Sequence, residues 1–410
     1  MARLLEAISK ELLTSYGIAT PKFRVATTPE EVAEIVACWR CPVVVKAHIP
    51  VGRRGKAGAV RFATSPQEAA DCAKKLLGAT VRHFPVTSVL VEERIAIGQE
   101  CYASISVDAS KRSIVAMVST AGGVDIEEIA AKQGKLCTLT IEPFRGLRAF
   151  EARQLWVEAG CSGSLLRPLT EALTRLYQLF VGVDATIVEV NPLALNCERQ
   201  SLAVGALIGV DDNALYRHPE LADKVEPGSD RAWRPLTERE KQAIAVDRAD
   251  PYRGTARYTE MDGGDIGFLC GGGGGSLLMF DALCRLGGAP ANYSEVGGNP
   301  TEPKVFGVTR VIASKPGVKG LLVCINITNN TQTDVVAAGV VQALRDLNID
   351  PTRFPTVVRL AGLNESVAAR ICAEAGIEYY GDDITMEDAA RRIVERVRQT
   401  YLGLAVTQHV

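Results

Sequence analysis

Apolar positions recur along this chain at two spacings, and the spacing changes character part-way. In the first half, "TPEEVAEIVACW" has an apolar stripe at helical spacing. Thr28 precedes Pro29, and Glu31 lies three residues on, the signature of a capped helix start. "SPQEAADCAKKLL" repeats the device with Ser65 as cap and Glu68 at the third helical position. Between them "CPVVVKAHI" reads as a buried strand. "SVLVEERI", "ECYASISVD" and "SIVAMVST" read as further strands, and "RPLTEALTRLYQLFVGV" as a long helix leading into the strand "ATIVEVNPLAL". Residues 1–20 read as a helix followed by a turn. From residue 259 the pattern alternates strictly. The strands "DIGFLC", "GLLVCINI", "PTVVRLAG" and "IEYYG" are each followed by a helix, the last being "TMEDAARRIVERVRQTYL" with Thr385 as cap. This alternation predicts a parallel sheet covered on both faces, with ligands at the carboxyl ends of its strands. Residues 226–258 are charged, poor in apolar runs and read as a linker holding one helix. The expected organisation is an α+β region over 1–225, that linker, a doubly wound α/β region over 259–401, and a tail over 402–410.

Five segments could carry chemistry. In "IVEVNPLAL" the apolar Ile187, Val188, Val190 and Leu193 surround a carboxylate and an amide. Glu189 and Asn191 lie two apart, so a strand points both to one face. Such a pair suits a metal or phosphate site, and equally a half-exposed strand with its polar face to water. "VVVKAHIPVGRRGKAGAVRF" is a strand, a basic glycine-rich loop and a second strand. Its glycines let backbone N–H groups approach an anion, and Lys46, Arg53, Arg54 and Lys56 add charge. The loop does not fit the GxxxxGKS spacing, which excludes a P-loop. "VLVEERI" places Glu92 and Glu93 at the end of an apolar strand, where they either hydrogen-bond a base or ribose or simply meet water.

"CGGGGGS" runs directly from strand to helix. It predicts a turn of five glycines feeding a helix N-terminus able to hold an anion. "NITNNTQTD" is a polar loop before the next helix, which Thr333 or Asp334 could cap. It is either a second anion-binding helix start or a plain capped turn.

Composition narrows the class. The 410 residues suit two or three domains, and 47% hydrophobic with 23% charged residues is ordinary for a soluble globular protein. A net charge of −2 gives no bulk attraction to nucleic acid or an anionic membrane. No apolar run reaches membrane-spanning length, and the N-terminus lacks the apolar core of a signal peptide. Eleven cysteines, an odd number, fit reduced thiols in a cytoplasm better than a disulfide framework. Cys38 and Cys41 form one CxxC with no second pair, and read as structural. The four histidines, His48, His83, His218 and His409, lie near no serine–acid or metal-ligand constellation.

Taken together, "VVVKAHIPVGRRGKAG", "STAGGVDIEEIAAK", "VEVNPLAL", "DDNALYR" and "GGAPANYSEVGG" resemble the β subunit of succinyl-CoA synthetase, nearly end to end. The resemblance implies an ATP-grasp domain followed by a flavodoxin-like ligase domain. It implies the reaction acid + CoA + ATP giving acyl-CoA + ADP + phosphate, through a phosphorylated histidine on an α-type, CoA-binding partner subunit. It further implies that Lys46, Gly52, Arg53, Arg54 and Gly55 cradle ATP phosphates, and that Glu92 and Glu100 hold base and ribose. Asn191 would help hold Mg²⁺, and Glu189 would sit where the phosphohistidine docks. Gly271, Gly272 and Gly298, with Thr328, Asn329, Asn330, Thr331 and Thr333, would face the small carboxylic acid and the phosphohistidine.

Three departures stand out. The family's second Mg²⁺ ligand, an Asp, and a nearby Lys are Gly205 and Leu207 here. Asp211 or Glu189 is expected to compensate, and Gly205→Asp is expected to tighten Mg·ATP if the site is metal-deficient. The GGRGKAG loop carries Arg53 in place of a glycine. The substrate loop reads "TNNTQTD", and "CGGGGGSLLMFDALCRLGG" with "ANYSEVGGNPTE" looks more like ATP-citrate lyase and citryl-CoA synthetase. "VVRLAG", with Leu360, is closer to the succinate enzymes. Succinate is therefore the expected acid, citrate the alternative. A subunit that binds nucleotide without catalysis is the rival from another class.

Overall fold

A computed structural model describes residues 2–52, 54–123, 136–225 and 234–407. The chain divides into two units, Met1–Pro235 and Leu236–Val410.

The first unit holds two large antiparallel sheets besides the short pair Thr80–Val81 with Phe84–Pro85. The smaller has the order Phe23–Ala26, Val89–Glu93, Val43–Ala47, Val60–Ala63. Its central strands are almost wholly buried, because helices Pro29–Trp39 and Pro66–Leu76 cover one face with Val32, Ile35, Val36, Ala69, Ala73 and Leu76. Both helices start where their caps predict: Thr28 Oγ1 accepts from Glu31 N at 3.2 Å and Ser65 Oγ from Glu68 N at 3.2 Å. The larger sheet runs Ala2–Arg3, Ala206–Val210, Ala185–Asn196, Ile97–Asp108, Ser113–Ser119, Cys137–Ile141, with Ser201–Ala203 paired to Ala185–Asn196. Helices Ala149–Glu158 and Leu166–Gly182 pack on it. Trp156 is fully enclosed there and donates its indole N–H to Leu169 O at 3.0 Å, so the one polar atom of the ring is satisfied.

The second unit is a six-stranded sheet ordered Thr255–Glu260, Asn292–Gly297, Ile266–Gly271, Gly320–Thr328, Thr356–Gly362, Glu378–Tyr380. Every pairing is parallel except that of the first strand. Separate apolar clusters fill its two faces, as a doubly wound sheet requires. Helix Glu302–Ala313 and the antiparallel edge Thr255–Glu260 are additions to the strand–helix alternation read from the sequence.

Three sequence expectations change. Residues 236–258, read as linker, belong to the second unit: helix Glu238–Ala249 leads into the edge strand. Only Glu240 and Ala243 of that helix are buried, so its sequence carries almost no apolar stripe. The tail expected from 402 is helical through Thr407. The five glycines do not make one turn. Gly271 ends a strand, Gly273 to Gly275 already lie in the helix Gly273–Arg285, and Gly272 alone turns the chain, at φ +84°. No helix among the described residues is long and apolar enough to cross a membrane.

Candidate functional site

The first unit contains a cavity of about 1120 Å³. Eight residues given a role by the family resemblance line it, Lys46, Gly52, Arg54, Gly55, Glu92, Glu100, Glu189 and Asn191, and so do Lys56 and Glu93. They come from different elements. Lys46 is on Val43–Ala47, Glu92 on Val89–Glu93, Glu100 on Ile97–Asp108, and Glu189 and Asn191 on Ala185–Asn196. Arg53 lies outside the described residues. Val44, Val60, Phe62, Ile95, Ile97 and Leu207 give the cavity an apolar side, and the Arg94 guanidinium lies 5.1 Å from the Phe62 ring centre.

The basic side of the cavity is held by buried ion pairs. Lys46 Nζ donates to Glu6 Oε1 and to both Glu92 oxygens, each at 3.1 Å, and to Val204 O at 3.0 Å. Lys10 pairs with Glu92 and lies 3.4 Å from Glu6, and Arg54 pairs with Glu6. Burial works to raise the Glu6 carboxyl, but Arg54, Lys46 and Lys10 together outweigh it and hold it far below the usual carboxylate range. Burial lowers the Lys46 ammonium, and Glu6 opposes that shift. The contacts of Glu92 are thus with two lysines, not with open space, although it borders the cavity. Sequence reading missed Glu6 and Lys10. The available signal was their spacing: positions 6, 10 and 13 share one helix face, and all three are buried on helix Glu6–Ser15.

On the other wall Glu189 and Asn191 do share a strand face. Tyr102 donates its hydroxyl to Glu189 Oε2 at 3.4 Å. Asn191 Oδ1 accepts from Gly123 N at 2.8 Å, and Asn191 N donates to Gly205 O at 2.9 Å. Gly123, at φ +72°, lies so close to the Glu100 carboxylate that a Cβ there would overlap it. Glu100, Gly123 and Asn191 therefore form one packed corner.

In the second unit the predicted residues gather at the carboxyl ends of the strands. Asn299 N, next to Gly298, donates to Thr331 Oγ1 at 3.3 Å. Thr328 Oγ1 donates to Thr331 O at 2.8 Å, with Ala361 O at 3.2 Å, and Thr333 Oγ1 to Leu363 O at 2.8 Å. The hydroxyl protons of Thr328 and Thr333 thus tie loop to loop, while Asn329 and Asn330 stand exposed. Helix Thr333–Asp346 is capped by Gln332, not by Thr333 or Asp334, and without a side-chain bond. Asp334 sits in its first turn and accepts from Asn364 Nδ2 at 3.0 Å, placing a carboxylate at the positive end of the helix.

The ATP-grasp domain family matches residues 3–195, and the family described as ATP citrate lyase citrate-binding matches residues 234–395. The succinate–CoA ligase [ADP-forming] subunit beta of Rubrobacter xylanophilus is 37% identical over 402 residues, covering 96% of this chain and 98% of that one. The chain belongs to the succinate–CoA ligase β-subunit family. The [GDP-forming] subunit beta of Thermus thermophilus is 38% identical over 396 residues, with 96% and 98% covered. ATP citrate lyase from Methanothrix soehngenii, solved in complex with citrate and coenzyme A, shares the fold at a TM-score of 0.79 and 21% identity. That match covers 97% of this chain and 99% of that one.

Gly205 lies close against the backbone of the strand that carries Asn191. A Cβ on Gly205 would overlap the carbonyl of Asn191, because the two backbones pass within a hydrogen bond of each other. Asp211 does not compensate. It follows strand Ala206–Val210 at the end opposite Gly205, does not line the cavity, and its Oδ1 accepts from Asn213 N at 3.0 Å to cap a short 3₁₀ turn. Asn191 with Glu189 and Glu100 are the oxygen donors on this wall. Among the described residues no group of three His, Cys, Asp or Glu could hold a metal ion. That set fits Mg²⁺ arriving on nucleotide phosphates, which keeps several waters and needs one or two protein oxygens, better than a resident ion.

Proposed function

We propose that this chain is the nucleotide-binding β subunit of an ADP-forming acid–CoA ligase acting on a small dicarboxylate, with succinate as the acid. The observation that carries the reading is the convergence of Lys46, Arg54, Glu100, Glu189 and Asn191 on one cavity in a chain of this family. Lys46, Arg54 and the backbone of Gly52 and Gly55 bind the nucleotide phosphates. Glu100, held against Gly123, takes the ribose end. Asn191, with Glu189 beside it, would hold Mg²⁺, which would supply charge neutralisation for phosphoryl transfer, and Glu189 would sit where the partner's phosphohistidine docks. The phosphoryl acceptor is a histidine of an α-type partner, a reading consistent with the absence of a histidine from the cavity lining among the described residues. The transferred group then passes to the carboxylate, and the CoA thiol displaces phosphate from the acyl phosphate, giving the thioester. Binding the fixed phosphates in a water-poor, preorganised cationic corner is what accelerates such a step. Eleven free cysteines suit a reducing cytoplasm.

Citrate is a second reading, favoured by the match of residues 234–395 to the citrate-binding family. Phosphoryl acceptance and CoA consumption, measured with the chain and its partner on succinate and on citrate, decide between them. Turnover with succinate supports the first reading and turnover with citrate the second. Absence of both, with Mg·ATP still bound, leaves a nucleotide-binding subunit without catalysis.

A further inference from the structure

Two carboxylates, Glu6 and Glu92, border a cavity meant for a polyanion, and both are almost fully enclosed. Left alone they would repel phosphate and would be costly to bury. Three cations face them: Lys46 and Arg54, which line the cavity, and Lys10, which does not. Among the described residues these five groups, all charged, sum to one net positive charge; Lys10 lies behind the acids at 0% exposure, where burial and Lys46 lower its ammonium below the usual lysine range and Glu6 opposes that shift.

The geometry also shows a conflict. All three protons of the Lys46 ammonium are engaged by Glu6, Glu92 and the Val204 carbonyl. Lys46 can turn to a phosphate oxygen only by releasing one of these three partners, two of which are carboxylates. Arg54 is likewise committed to Glu6. Lys10 contacts both acids, so it stays as their shared counter-ion and halves their charge while the other two cations change partner.

We propose that Lys10 is a positioning residue for the polyphosphate site. It holds Glu92 and Glu6 as fixed counter-ions, so that Lys46 and Arg54 can transfer to the phosphates of a bound nucleotide. This rests on the nucleotide reading of the cavity and extends it to a residue that never touches the ligand. It also gives Glu92 the task of placing lysines instead of holding a base or ribose.

The test is Mg·ATP affinity of the full chain by calorimetry, with folding followed by circular dichroism. Lys10→Met makes the cluster neutral and is expected to weaken binding about tenfold or more. The double variant Lys10→Met with Glu92→Gln removes one charge of each sign. It is expected to return affinity to within about threefold of the parent, a rescue that a purely packing role for Lys10 would not produce. Loss of binding in the double variant overturns the proposal, because it means that Glu92 meets the nucleotide directly. Should Lys10→Met alone not fold, the double variant against the parent still decides. A parent chain that binds no Mg·ATP removes the nucleotide reading itself. A parent that binds, with Lys10→Met binding equally well, removes this inference alone.

Discussion

Gly205 shows how a single position can close off an obvious repair. An aspartate there would restore a family metal ligand, and the sequence suggests that it would tighten Mg·ATP. The backbone argues the reverse, since any Cβ would push the Asn191 carbonyl away and break the Asn191 N–H to Gly205 O bond. Gly205→Asp is expected to lower thermal stability and to weaken nucleotide binding, with Gly205→Ala doing much the same. Tighter Mg·ATP binding by the aspartate variant in calorimetry would refute this. His48 gives a second residue-scale prediction. Burial pushes its pKa from 6.5 down to about 4, with Nδ1 3.1 Å from Ser88 Oγ and Nε2 enclosed without a partner. The folded chain then binds fewer protons than the unfolded chain between these values, so stability falls as pH drops from 6.5 to 4, by roughly 3 kcal/mol. Glu6 adds in the same direction, losing its contribution at still lower pH. His48→Gln should flatten the melting temperature between pH 6.5 and 4, and an unchanged slope would count against this assignment.

At the scale of elements, local signals and long-range ones were unequally legible. Helices opened by Thr28 and Ser65 start where the sequence places them, because the cap bond involves residues only three apart. The strand pair of Glu189 and Asn191 was legible as one face for the same reason. Helix Glu6–Ser15 was legible as a helix, but not as one that buries Glu6 and Lys10, since their partners come from residues 46, 54 and 92. The edge strand Thr255–Glu260 was hidden in apparent linker because it buries only Ala256 and Tyr258, too short an alternation to stand out, and polar contacts add to its hold. Lys304, 2% exposed, donates to Asp250 O at 2.5 Å and Gly254 O at 2.9 Å and lies 3.3 Å from Asp247. That ammonium pins helix Glu302–Ala313 to the end of helix Glu238–Ala249 and the start of the edge strand. Lys304→Met should cost about 2 kcal/mol by leaving enclosed carbonyls unpaired. Hydrogen exchange should rise first over residues 250–260. Uniform exchange changes across the second unit would instead mean that the lysine acts on the whole sheet.

At the scale of the whole molecule, the distribution of histidine sets what the chain can do alone. Phosphoryl transfer through histidine needs an imidazole at the nucleotide's γ-phosphate, neutral and within reach. Among the described residues none lines the cavity. His48, the nearest in sequence to the phosphate loop, turns Nδ1 toward Ser88 and is enclosed on its other nitrogen. His218 Nε2 lies 2.8 Å from Asp184 Oδ2 and lines no part of the cavity. On the proposed reading the acceptor comes from another chain, and the acids and cations of the cavity would present the phosphate to it. Replacing His48, His83, His218 and His409 together by glutamine should leave Mg·ATP affinity within about threefold, since none of the described three lines the cavity. It should also leave transfer of labelled γ-phosphate to the partner intact. The label should appear on the partner alone, in an acid-labile, base-stable form. Label on this chain in the parent, lost in the fourfold variant, would place the phosphohistidine here and overturn the two-subunit reading.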